Sequence, residues 1–397
     1  MKKIITLLSF SLITSYCISQ GTWSQKNNCP GSQRYRAIAF EVNGKCYMGT
    51  GSTGGGITQN LNDLWEFDPI LNSWTQKADL TAPSRTNASA SSVGNYGYVG
   101  LGSDKGTLLN DWWQFDPIGN DWQAVADFPG IPRYGAGTFS ILGIIYVGGG
   151  LDTVNQAHSD VYAYDPSNNT WTPKEDLPIG VSSAATFTIG EKGYFVGGAS
   201  TASINGTTQT VEYDPTFNTW TTKAQYAGGN TFSAIGFSLF GFGYVGTGFS
   251  GNLTDLMWRF DPILDYWTAE TPWPTGIRQW AVSCVTNNKA YVGTGNSTGG
   301  LLFPDWYEFI PAINSVNNLR DVESQIIATF DPVRKEISVR NANGNETLKI
   351  FSLDGKLLFE SSINSGLQTF SWTESGLFIM TLFDKGKTSA TKIICLD

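Results

Sequence analysis

Short runs of alternating apolar and polar residues fill the chain up to about residue 316. Ala37-Ile-Ala-Phe-Glu-Val42 alternates as a half-buried strand does, and Lys45 to Met48 follows as its hairpin partner. The pattern then restarts with a period near 48 residues. An aromatic-led glycine pair recurs as Tyr47-Met-Gly-Thr-Gly51, Tyr98-Val-Gly-Leu-Gly102, Tyr146-Val-Gly-Gly149, Tyr194-Phe-Val-Gly-Gly198, Tyr244-Val-Gly-Thr-Gly248 and Tyr291-Val-Gly-Thr-Gly295. An aromatic-Asp-Pro turn follows each time, at Asp68-Pro69, Asp116-Pro117, Asp165-Pro166, Asp214-Pro215 and Asp261-Pro262, with a degenerate copy at Phe309-Ile310-Pro311. A tryptophan closes the unit: Trp74, Trp122, Trp171, Trp220 and Trp267, spaced by 48, 49, 49 and 47 residues.

Each signal has a physical reason. In Asp-Pro-x-x-Asn the proline presets φ, the aspartate caps the turn and the asparagine tolerates the left-handed region. Four short strands per unit result. One such sheet cannot bury both faces, so the units are expected to stack around an axis with their aromatics between them. The sixth unit has Val316 where a tryptophan belongs, and an orphan Trp23 stands before the first. Trp23 is therefore expected on an N-terminal strand that completes the last sheet and removes its free edge.

These residues resemble the kelch family, whose repeat is a glycine doublet, a Tyr or Trp, then Asp-Pro-x-x-Asn-x-Trp. The resemblance covers residues 21 to 316 and implies an all-β, six-bladed kelch β-propeller over 20–316. Val211 in place of the aromatic at Trp65 is one departure. After a linker at 317–325 the pattern changes. Asp331-Pro-Val-Arg-Lys-Glu-Ile-Ser-Val339, Leu348 to Leu358 with its Asp-Gly turn, Ser375-Gly-Leu-Phe-Ile-Met-Thr-Leu382 and Thr391-Lys-Ile-Ile394 read as strands of a small β-sandwich, 326–397. This tail resembles the C-terminal sorting domain of type IX secretion cargo, with Thr329-Phe-Asp-Pro332 as a degenerate opening. That implies a Bacteroidetes-like exported protein whose tail engages secretion machinery.

The start of the chain agrees with export. Lys2 and Lys3 precede an apolar stretch from Ile4 to Ile18, and residues 1–19 read as a signal peptide. The expected location is secreted or on the outer-membrane surface of a Gram-negative bacterium, as a monomer. Net charge is −9, which excludes nucleic acid as a partner. Of the five cysteines, Cys46 and Cys284 read as buried free thiols in strands, and Cys29 has the option of pairing with either.

Candidate chemistry lies on the longer loops. An arginine recurs 13 residues before the tyrosine of the glycine motif: Arg34, Arg85, Arg133 and Arg278, with Val181 and Thr231 at the fourth and fifth places. Two readings are open. The arginines form a ring for a ligand carboxylate, as the kelch resemblance implies, or they pair with nearby aspartates and carbonyls. Tyr35, Tyr134 and Trp280 beside them are candidates to stack on a sugar or peptide. Asp63, Asp111, Asp160 and Asp305 read as loop caps. The chain has one histidine, His158, too few for a copper or zinc centre, so no metal, cofactor or catalytic residue is assigned. The expected function is a binding module for a protein or glycan ligand. The alternative is a sugar-active enzyme, such as a sialic-acid mutarotase or lyase, with Asp104, Asp152 or His158 as its acid or base.

Overall fold

A computed structural model describes residues 21–54, 59–201 and 206–311, and a set of strand segments between 319 and 396. Residues 1–19, most of the 317–325 linker and the Asp354-Gly355 turn lie outside the described residues. The described chain is all-β, with one 3-10 turn at Thr298–Gly300 and propeller-like sheets of four strands each.

Residues Gly21–Pro311 form one compact unit. Among its described residues are six four-stranded antiparallel sheets. The first runs Ile38–Val42, Lys45–Gly49, Leu64–Asp68 and Ser73–Lys77. Four more repeat that order along the chain. The last takes Val282–Thr286, Lys289–Gly293 and Trp306–Ile310 from the end of the unit and Thr22–Lys26 from its start. Trp23 pairs with Phe309 and Gln25 with Tyr307. The first strands of successive sheets lie against one another in a closed circuit, Val282–Thr286 meeting Ile38–Val42. First strands such as Ile38–Val42 and Gly137–Ile141 bury alternate residues, whereas second strands are buried on both faces from their second residue on. Glycine makes the close approach possible: a Cβ on Gly97 would lie 2.1 Å from the Phe40 ring of the preceding sheet.

The repeated Asn and Trp hold each sheet to the one before it. Asn120 sits at φ 53°. Its Oδ1 accepts from the Ala78 N–H (2.9 Å), and the Trp122 indole donates to the Ala78 carbonyl (3.0 Å). One peptide residue is thus gripped at both ends. The same two bonds join Asn72 and Trp74 to Asn27, Asn169 and Trp171 to Ala126, and Asn218 and Trp220 to Glu175. Asp265 and Trp267 do so to Ala224. Each indole also packs on the aromatic of its own turn, as Trp122 does on Phe115 at 4.9 Å. Trp23 completes the set, donating to the Thr271 carbonyl (3.2 Å) and packing on Phe309 at 4.6 Å.

Two further features differ from the sequence reading. Cys46 and Cys284 are joined as a disulfide between the first and last sheets, rather than being free thiols. They lie 238 residues apart, and only the meeting of the two ends brings them together. Cys29 remains a buried free thiol, and burial pushes its pKa up to about 11. The recurrent arginines are completely buried, at 0% exposure. Each is bound bidentately by the aspartate that precedes the third strand. Arg34 bonds Asp63 at 2.5 and 2.6 Å, Arg85 bonds Asp111 at 2.8 and 2.7 Å. Arg133 bonds Asp160 at 2.5 and 2.9 Å, and Arg278 bonds Asp305 at 2.7 and 2.8 Å. The aspartates expected as loop caps are the partners. Where the fourth and fifth units have Val181 and Thr231, they also lack the aspartate, having Gln209 and Leu256. Cation and anion come and go together, as a buried ion pair requires.

The C-terminal strands form two four-stranded antiparallel sheets. Leu319–Arg320, Ile327–Asp331, Glu336–Ala342 and Gly366–Ser371 make one. Leu357–Ile363, Glu346–Ser352, Gly376–Asp384 and Lys387–Leu396 make the other.

Two predictions follow from these contacts. Arg85→Val leaves Asp111 without its partner and is expected to cost roughly 3 kcal/mol. The double variant Arg85→Val, Asp111→Gln copies the fourth unit and is expected to recover most of that in urea unfolding. The second prediction concerns acid. Burial pushes the Glu308 carboxyl up, but Lys289, Tyr291 and Lys26 outweigh it and hold the group below 4.5; Glu66 is held likewise by Lys45, Tyr47 and Lys77. A folded pKa below the unfolded one stabilises the fold above the unfolded value, and the effect is lost as pH falls through the folded value. The melting temperature is therefore expected to drop below about pH 4.5, and less steeply in Glu308→Gln.

Candidate active site

The residue two places after each arginine position adopts the left-handed conformation. These are Arg36 (φ 55°), Asn87 (52°), Gly135 (67°), Ser183 (54°), Ser233 (55°) and Trp280 (52°). Five of the six carry side chains, at a conformational cost of about 1–2 kcal/mol each. The turn aims each amide at the neighbouring sheet. Asn87 N–H donates to Arg36 O (3.0 Å), Gly135 to Asn87 (2.9 Å), Ser183 to Gly135 (2.7 Å) and Ser233 to Ser183 (2.8 Å). Trp280 donates to Ser233 (3.0 Å), and Arg36 to Trp280 (3.3 Å). A ring of backbone hydrogen bonds thus encircles the axis. Below it Ala37, Ala88, Ala136, Ala184, Ala234 and Ala281 begin the innermost walls of an axial channel of about 280 Å³.

Beside this ring opens a cavity of about 310 Å³, lined by Arg36, Asn87, Lys105, Tyr134, Asp152 and Asn155 among others. Arg36 is its distinctive group. The guanidinium carbon lies 4.0 Å from the Trp280 ring centroid and 5.0 Å from that of Tyr35. Burial lowers its pKa from the ordinary arginine value, while Tyr35 and Tyr134 act the other way. The group stays charged at any ordinary pH. Among the described residues it has no carboxylate partner, and its Nε is buried without a hydrogen bond. A cation stacked on aromatics and partly stripped of water, with no anion of its own, is a receptor for one. Lys105 on the Ser103–Asp104 to Thr107–Leu108 hairpin adds an exposed cation with no acidic partner among the described residues.

Asp152 is the carboxylate of the cavity. Its Oδ1 accepts from the Val154 and Gln156 N–H groups, each at 2.9 Å, and its Oδ2 meets His158 Nε2 at 3.2 Å. The Gln156 amide above all, with Val154 and His158, holds it below its ordinary value of 3.8 and outweighs the desolvation that acts the other way. It is ionised at neutral pH. Asp104 instead accepts from Ser84 Oγ (2.9 Å). No cluster of three metal-ligating side chains occurs among the described residues.

The sequence candidates therefore separate. Arg34, Arg85, Arg133 and Arg278 are corrected: each guanidinium is spent on an internal carboxylate and a backbone carbonyl, so the ring does not face a ligand. Tyr35 and Trp280 flank Arg36, and Tyr134 lines the cavity. Arg36, Asn87 and Lys105 are the residues that the sequence reading missed. The signal that marks the position of Arg36 and Asn87 is the alanine after each left-handed residue of the ring; nothing of that kind marks Lys105.

Comparison with known proteins adds three findings. The sequence matches the Attractin/LZTR1 beta-propeller family over residues 6–240 of 397. The N-acetylneuraminate epimerase of Pasteurella multocida (strain Pm70) is 32% identical over 79 residues. That match spans 19% of this chain and 20% of the relative. The solved structure of YjhT superposes with a TM-score of 0.61 at 17% identity, covering 77% of this chain and 97% of that one. At that identity it shows the fold alone. The relative overturns the expectation of a binding module without turnover, because its name is that of a sugar-active enzyme. The repeat, the four-stranded sheets and the family match agree: the chain belongs to the Attractin/LZTR1 beta-propeller family.

Proposed function

We propose that the protein is a sugar-active enzyme that epimerises a sialic-acid-type sugar at its anomeric carbon, in the cavity beside Arg36. The observation that carries this is the unpaired Arg36 guanidinium. Four other buried arginines have their own aspartates, and this one is left for a substrate carboxylate. The resemblance of a fifth of the N-acetylneuraminate epimerase sequence supports the substrate class. Lys105 and Arg36 make the cavity locally cationic on a chain of net charge −9, which draws an anionic sugar to this place.

The chemistry needs proton transfer and no redox partner. A base takes the proton of the anomeric hydroxyl. The electrons form the carbonyl, the bond from the anomeric carbon to the ring oxygen breaks, and that oxygen receives a proton. Rotation and reclosure on the other face reverse each step. Asp152 is ionised and lines the cavity, so it is assigned as base; His158, hydrogen-bonded to it, is assigned as the group that shares its proton.

We also propose that residues 1–19 are a signal peptide and that 20–316 form a six-bladed kelch propeller. On this reading 317–325 is a linker, and 326–397 is a β-sandwich that serves as a type IX sorting domain recognised by secretion machinery. The protein would then work as a monomer, outside the cell or on the outer membrane of a Bacteroidetes-like bacterium. The Cys46–Cys284 disulfide supports export, since such bonds persist in oxidising compartments. The ring of hydrogen bonds through six sheets supports the blade number.

Anomer exchange of N-acetylneuraminate, followed by NMR, tests the function. The purified chain is expected to accelerate it. Asp152→Asn is expected to lower kcat roughly 100-fold or more with little change in KM. Arg36→Asn, which suits the left-handed backbone, is expected to raise KM about 10–100-fold. Exchange no faster than in buffer would end this reading.

A further inference from the structure

Three asparagines line the cavity, and two are engaged. Asn60 donates from Nδ2 to Ser103 O (3.0 Å), and Asn155 Oδ1 faces the Tyr134 hydroxyl (3.5 Å). Asn87 makes no side-chain hydrogen bond among the described residues. It is held in place nonetheless. Its left-handed backbone is fixed between Arg36 and Gly135 by the ring bonds of 3.0 and 2.9 Å. Thr86 beside it also lines the cavity, and its Oγ1 is buried without a partner. The cavity that Arg36 lines thus also carries a primary amide and a hydroxyl that make no side-chain hydrogen bond among the described residues.

We propose that Asn87 is a specificity-determining residue that reads an N-acyl group on the sugar whose carboxylate rests on Arg36. This rests on the reading of Arg36 given above and adds the substituent that the site selects. A primary amide offers one acceptor and two donors, the complement of the N–H and C=O of an acylamino group. A ligand hydroxyl meets only part of that set, so an N-acylated sugar acid gains over its hydroxyl analogue. The remaining ring positions fit this arrangement. Trp280 closes the side of Arg36 away from Asn87, while Gly135, Ser183 and Ser233 are small and keep the opposite side of the mouth open. Bulk and charge fall on one half of the ring and free space on the other, which gives the ligand a single orientation.

The test compares two probes by calorimetry on the full chain: N-acetylneuraminate and the nonulosonic acid with a hydroxyl in place of the acetamido group. Asn87→Gly removes the amide and keeps the left-handed backbone without strain. Asn87→Ser serves as a second variant, because serine already occupies the equivalent places at 183 and 233. Both variants are expected to bind N-acetylneuraminate about tenfold more weakly and the hydroxyl analogue less than about threefold more weakly. Unchanged affinity, or an equal loss for both probes, overturns the assignment of Asn87. Arg36→Asn separates this from the reading beneath it. If Arg36→Asn abolishes binding of both probes while the Asn87 variants bind both as the parent does, the carboxylate site survives and the amide reading falls. If the parent protein binds neither probe, both fall.

Discussion

Five of the six junctions between sheets of the 21–311 unit are fastened through the backbone N–H and C=O of one residue, the N–H taken by an Asn or Asp oxygen of the neighbour and the C=O by its indole; the sixth keeps the indole bond alone, from Trp23 to Thr271. This double grip fixes both the distance and the rotation between sheets, since a single bond would leave a hinge. Two constraints make it possible. The asparagine must sit left-handed at the end of the Asp-Pro turn, and the tryptophan must follow two residues later with its ring on the turn aromatic. Repeated around the axis, the grip places the innermost strands in a circuit, and the circuit in turn places the left-handed ring at the mouth. The candidate site therefore depends on contacts at the far edge of the sheets.

Much of this was legible in the sequence because the fastening residues are local and chemically distinctive. Asp-Pro-x-x-Asn-x-Trp names the turn, the left-handed position and the indole in one stretch. Trp23 could be set on the last sheet because the sixth unit lacks a tryptophan of its own. The buried ion pairs were half legible. The arginines were found by counting, but their partners lie 26 to 29 residues further on, and the joint absence of both members from the fourth and fifth units is the clue that identifies a pair. The disulfide was not legible, because the two cysteines meet only through closure of the circuit.

The candidate site was the least legible part, for a specific reason. Arg36, Asn87, Gly135, Ser183, Ser233 and Trp280 share a backbone conformation and no chemistry. A left-handed residue is usually signalled by glycine or asparagine, and here only two of the six are of those types. The scaffold supplies the conformation through the ring of backbone bonds, which leaves the side chains free to differ. That separation of duties explains how one repeat can carry a cation, an amide, a hydroxyl or an indole at the same place. It also explains why arginines that look like ligands two residues away are internal: Arg34 belongs to the repeat, and Arg36 belongs to this protein.

The covalent link between the first and last sheets has a consequence for the integrity of the molecule. Every connection between residues 46 and 284 lies inside the loop that the Cys46–Cys284 bond closes. A protease that nicks any one of those connections severs the polypeptide yet yields no separate fragment. The pieces stay tethered and their neighbours keep hold of them, so the barrel of sheets outlasts a cut that would unravel an open chain.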